Sequence, residues 1–130
     1  MSLKDIHNFD YVVLLCNDLQ RTRHFYKEVM GFSLEYDSET WISFRLGATL
    51  LTLRRRGPSV AWDDGPATPG AVAVQLAFRV PPPAVDTCHA ELVQKGVPIV
   101  RPPTDIPAFR HRTLFFRDPE DNVIEIYAEY

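Results

Sequence analysis

The chain has 130 residues, 45% of them hydrophobic and 24% charged, with a formal net charge of −3. That length fits one domain with enough apolar material for a core, which excludes a disordered tail or a fibre. The acidic balance excludes the global basic field that drives binding to nucleic acid or anionic membranes, leaving Arg54-Arg55-Arg56 as the only basic cluster.

No apolar run approaches the roughly 18 to 20 residues of a membrane span, and "MSLKDIHNFDY" lacks the apolar centre of a signal peptide. The expected location is the cytoplasm, with no membrane or nucleic-acid partner. Cys16 and Cys88 are too far apart for a CxxC motif and are read as small buried apolar side chains.

In chain order, "YVVLLCNDL" reads as a strand that ends at the capping pair Asn17-Asp18. A helix follows from Gln20 to Met30, with Phe25, Tyr26, Val29 and Met30 on its apolar side and Gly31 as its stop. "FSLEYD", "WISFRLG" and "TLLTLRRR" are three short strands. The Gly- and Pro-dense stretch Gly57 to Gly70 is a linker or irregular loop.

The pattern then begins again. "VAVQLAFRV" reads as a strand and "PPPAVDTCHAELVQKG" as a Pro-led turn and helix closed by Gly96. "VPIVRP", "RTLFFRD" and "NVIEIYAEY" supply three more strands. The order βαβββ therefore occurs twice, in a module of about residues 7–56 and another of about 71–130. Tyr11 maps onto Gln75, Gly31 onto Gly96, and aligning "LLTL" with "IEIY" sets Thr52 opposite Glu125.

Two segments carry a family resemblance. "YVVLLCNDLQRTRHFYKEVMGF" resembles the opening strand, Asp-Leu turn and Phe-Tyr helix of the vicinal oxygen chelate superfamily, which includes glyoxalases, bleomycin-resistance proteins and extradiol dioxygenases. "RTLFFRDPEDNVIEI" resembles its closing Asp-Pro-x-Gly-Asn-x-x-Glu hairpin, with Asp121 where Gly is usual. The resemblance implies an α+β fold of two tandem βαβββ modules forming a curved eight-stranded cup in one domain. It also implies homodimers. In metal-dependent members, side chains from the first and last strand of each module hold a divalent ion, and the matching positions here are Tyr11, Thr52, Gln75 and Glu125.

Those four residues argue against a tight metal site. A non-haem iron site needs two imidazoles and a carboxylate, and catalytic zinc needs about three His, Cys or carboxylate ligands. One carboxylate, one amide and two hydroxyls fall short. No cofactor is expected, and a divalent metal, if bound, would fall to Glu125 and Gln75. The histidines do not repair the deficit. His24 and His89 lie on helices, and His7 is roughly 13 Å along an extended chain from Tyr11.

Glu125 interrupts a run of β-branched and aromatic residues, so it is expected to face the cup while Ile124 and Ile126 face the core. It is a candidate for ligand contact or, desolvated beside Tyr11, for general-base work. The alternative is a structural pair with Arg79 or Arg112. The further ligand-binding candidates are Trp41, Phe44, Trp62, Phe109, His111 and Arg112. Aromatic walls with one or two fixed charges are what a small-molecule pocket offers.

Two functions are compatible with this pattern. The first is a bleomycin-resistance-like protein that binds a small aromatic or amphipathic molecule. The second is a lyase, isomerase or dioxygenase. It would use a metal held by Glu125, Gln75 and a histidine in a shifted register, or work without metal through Glu125, with Tyr11 or Arg112 stabilising an anion.

Overall fold

The computed structural model describes residues 1–130 and divides into two compact units, Met1–Pro66 and Ala67–Tyr130. Each contains one βαβββ motif. In the first, β1 (Tyr11–Cys16) leads to α1 (Leu19–His24), which continues into a π-helical turn, Phe25–Val29. Then come β2 (Ser33–Asp37), β3 (Ile42–Leu46) and β4 (Thr49–Arg55). The sheet order is β1-β4-β3-β2, with β1 and β4 parallel and the other pairs antiparallel.

The second unit repeats this with β5 (Gln75–Arg79), α2 (Ala84–Gln94), β6 (Ile99–Ile106), β7 (His111–Arg117) and β8 (Val123–Glu129). Its order is β5-β8-β7-β6, with β5 parallel to β8. The repeat extends to register. Tyr11 sits opposite Leu50 and Val13 opposite Thr52, just as Gln75 sits opposite Val123 and Ala77 opposite Glu125.

Side-chain alternation divides each sheet into a core face and an outer face. In the first unit Leu14, Cys16, Ile42, Phe44, Leu51 and Leu53 are all buried. The helical segment adds Leu19, Thr22, Phe25 and Tyr26, spaced at helical intervals. Tyr26 stacks on Phe32 with centroids 6.0 Å apart and tilts against Phe44 at 6.2 Å. Asp18 caps α1 as expected, its carboxylate accepting from the Arg21 amide at 3.1 Å. In the second unit Leu114, Phe116, Ile124, Ile126 and Ala128 are buried, as are Val85 and Leu92 of α2.

Three boundaries differ from expectation. The helix expected over Gln20–Met30 winds as α-helix only to His24 before widening into the π turn. The strand expected over Val72–Val80 is confined to Gln75–Arg79, because Ala71 to Ala73 are exposed and unpaired in the ladder. β6 extends well past Pro102, the expected end, by arching. Between Arg101 and Thr104 its pairing with β7 breaks at a bulge that accommodates Pro102-Pro103, which have no N–H to donate.

The closing hairpin is held by Asp118. Its Oδ1 accepts from the backbone amides of Glu120 and Asn122, and its Oδ2 from the Asn122 side chain, at 2.9 to 3.0 Å. Asp121 stands at φ +66°, left-handed backbone that glycine adopts more easily. No helix is long and apolar enough to cross a membrane.

Candidate functional site

The first unit contains a cavity of about 570 Å³ lined by Tyr11 and Val13 of β1, Thr40 and Trp41 before β3, Arg54 and Arg55 at the end of β4, and Pro58, Ser59, Val60 and Trp62 of the following loop. Tyr11 and Trp41 meet edge to face, with centroids 6.1 Å apart and rings at 74°. Trp62 is 59% exposed, which leaves surface that a ligand can cover.

A single carboxylate fixes the loop. Asp64, only 2% exposed in its side chain, accepts from both terminal nitrogens of Arg54 at 2.7 and 2.8 Å. It also accepts from the Gly57 amide and from Trp62 Nε1, each at 3.0 Å. The Arg54 guanidinium first, then the Gly57 amide, hold the Asp64 carboxyl far below the usual carboxylate range. Asp64 is therefore ionised across the physiological range and cancels the Arg54 charge. Arg55 makes no ion pair. Its Nη1 donates to the Glu39 carbonyl at 3.0 Å.

Thr52 shares the sheet face with Arg54 but does not reach the cavity. It is 1% exposed, and its hydroxyl lies 2.9 Å from that of Ser43 across the strand pair, both buried. Phe44, expected in the pocket wall, is fully buried on the opposite face, packed toward Tyr26. The reason is strand parity: Phe44 alternates with Ser43 and shares its side with Ile42.

In the second unit Glu125 is half-buried on the outer face of β8. Its Oε2 accepts from the Thr113 hydroxyl at 2.7 Å, and its Oε1 from the Gln75 amide at a long 3.4 Å. The ion pair considered for it does not form. Arg79 pairs with Glu129 at 2.9 Å, and Arg112 donates to Asp86 at 2.8 and 3.2 Å and to Asp105 at 3.1 Å. Hydrogen bonds to Asp86 first and Asp105 second push the Arg112 pKa up, so this side chain braces α2 and β6 against β7.

His111 stacks on Tyr127 with centroids 4.6 Å apart, and its Nε2 is 3.6 Å from Glu129. Phe109, 69% exposed, lies 6.2 Å from His111 and lines a separate open cleft of about 420 Å³ with Arg110, Glu129 and Tyr130.

The metal-position residues fall two to a unit, Tyr11 and Thr52 in the first, Gln75 and Glu125 in the second. Nowhere do three or more His, Cys, Asp or Glu side chains cluster as a metal would require. Thr52 is buried and already bonded, and Glu125 is bonded to Thr113. This donor set does not fit a tightly held divalent ion. His7 and His24 are exposed, and His89 is half-buried on α2.

Sequence reasoning missed Arg54 as a structural clamp, and missed Asp64 altogether. The available signal was charge: an Arg run at the end of a strand followed by Asp63-Asp64 in the next loop. Val13 could have been found from its strand parity with Tyr11.

Residues 8–126 match the family described as Glyoxalase/Bleomycin resistance protein/Dioxygenase superfamily. The chain belongs to this superfamily. Among its relatives, Virulence protein STM3117 of Salmonella typhimurium is 29% identical over 123 residues, covering 93% of this chain and 83% of that protein. The crystal structure of STM3117 has a TM-score of 0.72 over 96% of this chain and 98% of that one, at 27% identity. A glyoxalase/bleomycin resistance protein/dioxygenase from Nocardioides shares the fold at a TM-score of 0.84 and 21% identity, covering 96% of this chain and 85% of that one. A lactoylglutathione lyase from Agrobacterium tumefaciens also shares it, at a TM-score of 0.76 and 18% identity over 95% of each chain. The superfamily and its fold of two βαβββ modules thus agree with the resemblance in the opening strand and closing hairpin.

Proposed function

We propose that this superfamily member binds a small aromatic or amphipathic molecule without a tightly bound metal. The observation that carries the reading is the first-unit cavity. Its volume of about 570 Å³ suits a small organic ligand, and Tyr11, Trp41 and Trp62 supply flat apolar walls. Arg54 and Asp64 support it by fixing the loop in advance, which lowers the ordering cost on binding.

The test is a titration of the purified protein with a panel of aromatic molecules, followed by tryptophan fluorescence. Saturable quenching is expected. It should weaken at least tenfold in Trp62→Ala, with the melting temperature held within a few degrees because Trp62 is largely exposed. Quenching that rises linearly, and equally in the variant, would refute the reading.

A second reading rests on Glu125. Thr113 anchors one of its oxygens while the other keeps only the long contact to Gln75, an arrangement that suits a metal-free general base. This enzyme would turn over in the presence of chelator and lose that turnover in Glu125→Gln.

A further inference from the structure

Three aromatic faces around a cavity suit two different ligands. A cation can sit against the rings, or a planar aromatic can stack among them. The charges on the wall separate these possibilities. Arg54 and Arg55 both line the cavity, but Arg54 is cancelled by its two-pronged pair with Asp64. Arg55 is not cancelled, because its one hydrogen bond runs to the neutral carbonyl of Glu39. The cavity wall therefore carries one uncompensated positive charge and no uncompensated negative one.

We infer that the first-unit cavity selects planar aromatic anions, with Arg55 as the residue that reads the charge. A carboxylate on the ring edge matches the remaining donors of the guanidinium fork. A cationic ligand would be repelled by the same group. The contact to Glu39 fixes one arm of the fork, so the donors are partly oriented before the ligand arrives. Arg55 is exposed, so its influence is screened by salt. This inference rests on the proposal that the cavity binds aromatic molecules, and names the chemical class within it.

The experiment compares three probes of one shape, 2-naphthoate, 2-naphthylmethanol and 2-naphthylmethylammonium, by tryptophan quenching at low and high salt. Naphthoate is expected to bind about tenfold more tightly than the alcohol, and the ammonium more weakly than either. High salt should narrow the gap. Arg55→Gln should remove the naphthoate advantage, bringing the naphthoate and alcohol affinities together. Arg55→Lys, which keeps the charge but not the fork, should retain part of it.

Equal affinity for all three probes would overturn the role of Arg55 while leaving the aromatic pocket standing. Tightest binding of the ammonium would overturn it in favour of a cation box. If none of the three binds saturably, the pocket reading itself falls, and this inference with it.

Discussion

A carboxylate in the middle of an apolar strand needs a partner, and for Glu125 the partner is the fully buried hydroxyl of Thr113. The sequence could place Glu125 on the outer face, because its neighbours Ile124 and Ile126 alternate with it, and both are buried. It could not identify Thr113. Which polar group stands diagonally across a strand pair depends on register, and register is not contained in either strand alone. In the first unit Thr52, aligned with Glu125, bonds instead to Ser43 directly opposite it, both buried. Thr52→Val should strand the Ser43 hydroxyl and cost about 1–3 kcal/mol in urea unfolding. Adding Ser43→Ala should recover most of that loss, a non-additivity that a double-mutant cycle would measure. Parity also explains why Trp41 lines the cavity while Phe44, three residues on, lies in the core.

Among the elements, strands and helices were legible because hydrophobic period and glycine stops point the same way. Gly31 and Gly96 stand at φ +73° and +78° just past the two helical segments. The loop after β4 was legible only as irregular. Its conformation depends on a bond between Arg54 and Asp64, ten residues apart and in no periodic relation. Asp64→Asn should release the loop, shifting tryptophan emission to the red at pH 7 and weakening aromatic ligands. In the unaltered protein mild acidification should not reproduce this release. Asp64 has a folded pKa below its ordinary value of 3.8, so folded protein binds fewer protons here than unfolded protein does. The clamp's contribution is whole above about pH 4 and declines as the pH falls below that. Emission recorded from pH 7 to pH 3 should stay constant, because the folded Asp64 carboxyl remains ionised throughout that range.

At the scale of the whole molecule, the duplicated βαβββ order was the most informative signal, and the parallel pairs reproduce it residue for residue. Chemistry was less legible, because the four aligned positions have diverged in residue type while their register has not. The donor set predicts that elemental analysis after dialysis will find zinc, iron, manganese and nickel well below one per chain. A near-stoichiometric metal would mean that donors outside these four positions hold it.

The arch at Pro102-Pro103 has a consequence for behaviour at high concentration. β6 is the terminal strand of its sheet, so its outer margin is where a strand from another copy would add. The two prolines interrupt that margin with a kink and a gap of missing donors. Edge-to-edge addition of a strand from another copy is disfavoured along this one margin.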